Sequence, residues 1–354
     1  MKILLLCPEL FASDGGIQRI TRLYLRALAA RPETAEVRVV AFNDRVLPAE
    51  RLRETLGSRT GPAVGCGGNK LRFVRAAWQL SAGADRIICT HVRQLPVAAL
   101  VQVVRRNLRI YLVAHGIEVW RPFSALENWA LHRTTRIWCV SDFTRREINL
   151  RVPDLGDRLS VVPNALDPEF AVTPPAHLRE NCGRIILSVG RLSHADAYKG
   201  YDLLIRALPL IRQAAPGTQL RLVGSGDDEA RLRALAAEGG VTDAVVFAGR
   251  VTDAQLRAEF ARCDLFALPS TGEGFGLAFI EALAAGKPCV GADAGATPEI
   301  IDASCGLLAP PGDVPGLAAA CTAALDRDWP AETLRHRAQR YSFAAFQARL
   351  AAAW

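Results

Sequence analysis

Short apolar runs recur along this chain, and stretches of helical periodicity lie between them. The strand-like runs cover residues 3–7, 37–41, 86–90, 110–114, 137–140 and 159–162, then 185–189, 219–223, 245–247, 265–268 and 289–291. Between the first two runs, Ile20, Leu23, Tyr24, Ala27 and Leu28 fall at helical spacing, and residues 202–214, 228–237 and 254–263 repeat that pattern in the second half. Short apolar strands alternating with helices predict parallel sheets covered on both faces. Two successive sets predict an α/β chain of two doubly wound, Rossmann-like domains, with ligand at the carboxyl ends of the strands. At 354 residues each domain is large enough to bury its own core. The expected division is 1–165, 166–340 and a terminal helix, 341–354, that packs back on the first domain. Its boundary lies in 163–180, where Pro163, Pro168, Pro174 and Pro175 interrupt any periodicity.

No apolar run approaches the roughly 18–20 residues that span a bilayer. The start, Met1 to Pro8, is too short for a signal sequence and reads as the first strand. The nine cysteines form no C-x-x-C pair, and Cys89, Cys139, Cys263 and Cys289 sit in apolar runs, as buried thiols of a reducing cytoplasm do. The charge is uneven. Residues 1–165 carry 25 Lys and Arg against 14 Asp and Glu, whereas the remainder carries 18 against 22. A basic first half calls for an anionic partner. Nucleic acid is disfavoured, since no RNP, zinc-finger or helix-turn-helix pattern occurs. An anionic membrane surface or a lipid-phosphate substrate fits better. The basic run Lys70 to Leu80, in which Phe73, Ala77 and Leu80 share a helical face near Trp78, reads either as the membrane contact or as an ordinary helix packed on its sheet with basic residues outside.

The densest chemistry lies between residues 264 and 286. A strand-like run ending at Pro269 leads into Ser270-Thr271-Gly272-Glu273-Gly274-Phe275-Gly276-Leu277, and a helical run follows through Glu281 to Gly286. Strand, glycine turn and helix present free backbone N–H groups at a helix N-terminus, a ready phosphate site. Two carboxylates beside an anion need cations, and Arg191 and Lys199 supply them from the end of one strand, Arg as a planar fork and Lys as a point charge.

In order along the chain stand Gly15-Gly16, His115-Gly116, Val140-Ser141, Pro163-Asn164-Ala165, Gly190-Arg191, Lys199-Gly200, Gly224-Ser225-Gly226 and Glu273 to Glu281. This ordered set resembles family 4 of the retaining glycosyltransferases over nearly the whole chain. The resemblance implies a GT-B architecture, two Rossmann-like domains facing across a deep cleft, and a nucleotide-sugar donor with no further cofactor. It implies that Arg191 and Lys199 hold the donor diphosphate and stabilise its developing charge. Glu273 meets the transferred sugar, and the N–H groups of Gly274, Phe275, Gly276 and Leu277 approach sugar and phosphate. Glu281 accepts from the ribose hydroxyls, Arg250 and Val251 line the base, and Gly16 lets backbone approach from the first domain. His115 meets the donor sugar near its reacting carbon, with Glu118 a weaker candidate for acceptor contact.

There are departures. Ala165 stands where the family pattern has Gly, which puts a role for Asn164 in doubt. The only D-x-D, Asp326-Arg327-Asp328, lies far from the cleft strands, so no metal site is expected. The similarity to bacterial polysaccharide-assembly mannosyl- and glucosyltransferases points to GDP-mannose, with UDP-sugars open, and to a saccharide acceptor carried on a lipid diphosphate. It places the protein in the cytoplasm, peripheral on the inner face of the membrane. The rival readings are a nucleotide-sugar epimerase or phosphorylase of the same fold, and a non-catalytic sugar- or lipid-binding module.

Overall fold

The computed structural model describes residues 1–12, 15–170 and 183–354. The chain divides into two compact units, Met1–Asp167 with Phe343–Trp354, and Pro168–Ser342. The expected boundary zone runs into residues 171–182, which lie outside the described residues.

In the first unit the strands are β1 (Lys2–Cys7), β2 (Glu36–Ala41), β3 (Thr60–Gly65), β4 (Arg86–Cys89), β5 (Arg109–Ala114), β6 (Arg136–Cys139) and β7 (Leu159–Val161). They form one parallel sheet in the order β3-β2-β1-β4-β5-β6-β7. The second unit contributes β8 (Ile185–Val189), β9 (Gln219–Val223), β10 (Val245–Gly249), β11 (Leu265–Leu268), β12 (Cys289–Ala292) and β13 (Gly306–Ala309). Their order, again parallel, is β10-β9-β8-β11-β12-β13. Central strands are apolar without alternation because helices cover both faces. All of β1 beyond Lys2, and all four residues of β11, are buried.

Two strands escape the sequence pattern, β3 and β13, and both are outermost in their sheets. An edge strand lacks a neighbour on one side, so β3 needs fewer apolar residues and tolerates the proline of Thr60-Gly-Pro-Ala-Val-Gly65.

The helix Phe343–Ala352 belongs to the first unit. Phe346 packs edge-on against Tyr24, with ring centroids 4.9 Å apart, and Trp354 stacks on Tyr111 at 5.1 Å and on Trp138 at 5.6 Å. The Trp138 Nε1–H donates to the Ala353 carbonyl at 3.1 Å. The guanidinium groups of Arg31 and Arg86 each lie 4.3 Å from the Trp354 ring, within cation–π range. The eight described cysteines are buried and unpaired.

The helix Lys70–Leu80 corrects one expectation. Phe73 and Ala77 face the core of the first unit, and Leu80 packs against it, so they are not available to a membrane. The apolar side chains that face outward are Leu71, which is 83% exposed, with Val74 and Trp78. The inward set, Phe73, Ala76, Ala77 and Leu80, recurs at i, i+3, i+4 and i+7, the stripe a helix lays against its sheet.

Candidate active site

In the second unit the strand order reverses at β8, which has β9 on one side and β11 on the other. Ligands of doubly wound sheets sit outside the carboxyl ends of strands at such a point. Gly190 and Arg191 directly follow β8, and the segment from Pro269 to Gly276 follows β11. The topology therefore brings the two motifs to one edge of one sheet.

After Arg191 the chain makes a 3₁₀ turn, His194–Lys199, passes through Gly200 in the left-handed region (φ 73°), and enters the helix Tyr201–Ala214. Leu192 N–H donates to the Ser225 carbonyl at 3.2 Å, and His194 N–H donates to Asp227 Oδ1 at 3.0 Å, so the turn is held against the loop after β9. Thr271 N–H donates to the Tyr198 carbonyl at 2.9 Å and joins the turn to the segment after β11.

Within this frame Lys199 Nζ donates to Glu273 Oε1 at 2.9 Å, the two side chains being 16% and 13% exposed. Arg191 is held by Asp196, Nε to Oδ2 at 3.0 Å and Nη2 to Oδ1 at 3.2 Å; the Arg191 side chain is 77% exposed and that of Asp196 only 7%. The Tyr198 hydroxyl donates to the same Asp196 Oδ1 at 3.3 Å. Burial, followed by the nearby Asp196 and Glu273 carboxylates, pushes the Tyr198 phenol well above its usual range. Both expected cations thus already carry carboxylate partners. Arg191 can add an anionic ligand without leaving Asp196, since a guanidinium has five N–H donors.

The helix Leu277–Ala284 begins at Gly276, whose left-handed backbone (φ 95°, ψ 58°) favours glycine, and no side chain caps this N-terminus. A Cβ at Gly276 would also come within 2.7 Å of the Phe279 ring. Phe275 is buried against Tyr341, ring centroids 5.4 Å apart. Glu281 lies buried on this helix. Ala296 N–H donates to the Glu273 carbonyl at 3.0 Å and steadies the turn from the loop after β12. Arg250 and Val251 lie between β10 and the capping residue Thr252 of the next helix, with Arg250 exposed. The arrangement is a glycine-lined site of paired charges with an open helix N-terminus, suited to a diphosphate flanked by hydroxyls.

In the first unit, Gly16 opens the helix Gly16–Ala29 with no side-chain cap before it. His115 follows β5, and its backbone N–H donates to Glu118 Oε1 at 2.6 Å. Burial lowers the His115 pKa to about 4, opposed in part by a hydrogen bond to the Thr90 backbone, so the imidazole is neutral at neutral pH. Its Nε2 finds no partner among the described residues. His91 lies in the fields of His115 and Glu118, and burial lowers its pKa too. Asp196 went unread in the sequence, and His91 counted there only as a histidine satisfied at a strand end. A carboxylate between two cations was the available sign for the first; nothing local marks the second. Among the described residues no group of three or more His, Cys, Asp or Glu could hold a metal, and Asp326 of the D-x-D pairs with Arg184 at 2.6 Å.

Residues 14–170 match the Glycosyltransferase Family 4 model and residues 183–327 match Glycosyl transferases group 1. The chain is 34% identical over 352 residues to the phosphatidyl-myo-inositol mannosyltransferase of Mycobacterium leprae, spanning 93% of this chain and 88% of that protein. It is 31% identical over 245 residues to the GDP-mannose-dependent alpha-(1-6)-phosphatidylinositol monomannoside mannosyltransferase of Mycolicibacterium smegmatis, covering 64% of this chain and 63% of that one. Among solved structures, Anabaena HepE in complex with UDP and glucose has the same fold, with a TM-score of 0.80 at 23% identity over 99% of this chain and 98% of that one.

Proposed function

The chain belongs to glycosyltransferase family 4, and from that premise we propose a retaining, metal-independent hexosyltransferase that draws on GDP-mannose and glycosylates a saccharide or glycolipid acceptor. The observation that carries this reading is the Lys199–Glu273 pair at the reversal of the second sheet, beside an uncapped helix N-terminus. Lys199 and Arg191 bind the diphosphate and stabilise the charge that grows on it as the bond to the sugar breaks. Glu273 accepts from sugar hydroxyls and Glu281 from the ribose. Arg250 and Val251 line the base, and backbone N–H groups from Gly274 to Leu277 meet sugar and phosphate. Taken by itself, the first unit offers, to a sugar donor, Gly16 at an uncapped helix N-terminus and His115 as a neutral imidazole. In the retaining step the anomeric carbon–phosphate oxygen bond breaks, and the acceptor oxygen bonds to the same face. The acceptor's proton passes to the leaving diphosphate.

GDP-mannose is favoured because these two mannosyltransferase relatives are 34% and 31% identical to this chain over the stretches that match, and one of them carries that donor in its name. In a thermal-shift screen, GDP-mannose at about 100 times its Kd raises stability by about 2.7 kcal/mol, and UDP-glucose and UDP-N-acetylglucosamine do not. A shift with no nucleotide sugar sinks the donor assignment. Turnover that yields only epimerised donor, or sugar release that needs phosphate, would establish one of the rival activities. Anomeric retention is read by NMR of the product, and activity undiminished by chelator tests metal independence.

A peripheral place on the inner face of the membrane fits the outward side of the first unit. Leu71, Val74 and Trp78 are exposed on the helix Lys70–Leu80, and Leu100, Val103 and Val104 on the helix Leu95–Val104 packed beside it. Lys70, Arg72, Arg75, Arg105 and Arg106 stand among them, and the Arg105 guanidinium lies 5.0 Å from the Trp78 ring. Apolar side chains ringed by cations suit an anionic bilayer. Binding to phosphatidylglycerol vesicles falls steeply as salt rises and is lost in Arg72→Glu/Arg75→Glu; cosedimentation indifferent to both changes would refute the assignment.

A further inference from the structure

Tyr201 is the first residue of the helix Tyr201–Ala214 and is only 4% exposed. Its hydroxyl has no hydrogen-bond partner among the described residues. A buried hydroxyl without a partner costs about 1–3 kcal/mol, and such a group in a native protein asks for an explanation. Its surroundings supply one. After burial itself, the titratable groups that act on the phenol are Glu273, Asp196, Tyr198 and Arg191, which are the groups assembled around the proposed donor site. Burial and these carboxylates push its pKa far upward, so it stays protonated and can donate.

The position of the oxygen is also specific. It occupies the space beside Gly190, the residue between β8 and Arg191, where a Cβ would come within 2.3 Å of it. The Lys199 side chain borders the same space, its Cδ and Cε at 3.5 and 3.6 Å from that point. Glycine at 190 is thus what lets the phenol reach the end of β8. A phenylalanine would fill the same volume without leaving a hydroxyl unpaired, so packing does not account for the oxygen.

Resting on the donor-site reading above, we infer that Tyr201 is a further donor-contact residue, its hydroxyl donating to the sugar end of the bound nucleotide sugar beside Glu273. The sugar end is chosen because the Lys199 side chain that borders the phenol oxygen runs on to Glu273, its Nζ lying 2.9 Å from Glu273 Oε1. Sugar hydroxyls accept such a bond, and a neutral donor there adds no charge to a site whose cations are already engaged.

The test is Tyr201→Phe, with ligand-free melting and calorimetric titration of GDP-mannose, UDP-glucose, GDP and UDP. Ligand-free Tm is expected to stay level or rise, because an unpaired hydroxyl is removed. The nucleotide sugar that binds the wild type binds the variant about tenfold more weakly, whereas its parent nucleoside diphosphate binds both alike, about tenfold being what the loss of one hydrogen bond to a ligand gives. A nucleotide sugar that binds variant and wild type equally overturns the inference. Equal weakening of nucleotide sugar and free diphosphate also overturns it, since the contact would then lie at the phosphates. Wild type that binds none of the four ligands overturns the donor-site reading itself, and this assignment falls with it.

Discussion

Lys199→Ala is expected to lower kcat/KM for glycosyl transfer about 10²–10³-fold, the cost of removing one preorganised group that stabilises transition-state charge. Arg191 remains, so activity is reduced rather than abolished. The same change reports on the ion pair. Removing Lys199 leaves the Glu273 carboxylate 13% exposed without the partner it holds at 2.9 Å, and breaking one side of such a pair costs about 3–5 kcal/mol where burial is complete. The double variant Lys199→Ala/Glu273→Ala should therefore be more stable than Lys199→Ala alone, while its activity is no better. Steady-state kinetics and denaturant unfolding of the three variants check both statements. Wild-type turnover in Lys199→Ala, with product identity verified, removes Lys199 from the site. A double variant less stable than the single shows that the pair is not the source of the stability loss.

The second large effect concerns the return of the chain to the first unit. Phe346 and Leu350 are each about 1% exposed, and Phe346 packs on Tyr24 beside the stack of Trp138, Tyr111 and Trp354. Core truncations of this kind cost about 3–5 kcal/mol for Phe→Ala and 2–5 for Leu→Ala. Phe346→Ala/Leu350→Ala thus removes on the order of 6 kcal/mol, comparable to the whole stability of an ordinary domain. The expected result is a first unit that loses its cooperative melt and near-ultraviolet aromatic signal, while the second unit keeps its own transition. A double variant whose melting matches wild type would show that this helix is not part of the first unit's core.

Much of the fold was legible because its determinants are local. Strands buried on both faces have to be apolar throughout, and residues 265–268, read as a strand, form β11 with all four residues buried. The edge strand β3 was not legible, since a half-exposed strand needs no apolar run, whereas β13, Gly306-Leu-Leu-Ala309, is a short apolar run that went unread. In the helix Lys70–Leu80 the pattern showed amphipathicity but could not say which face the sheet would take. It took Phe73 and Ala77 and left Leu71, Val74 and Trp78 outside.

The sequence by itself determined the chemistry on offer: a glycine turn before a helix, two carboxylates, two cations, and their order along the chain. Only the tertiary structure decided how those groups are paired. Lys199 and Glu273 stand 74 residues apart, and they meet because β8 lies beside β11 where the strand order reverses. The end of β8 also brings Gly190 and the Lys199 side chain beside the Tyr201 phenol, which reads in sequence as one more aromatic at the start of a helix. Helical and strand periods depend on neighbours a few residues away and can be read directly. Strand order depends on how whole elements cover one another's apolar faces, and no short window of sequence contains that.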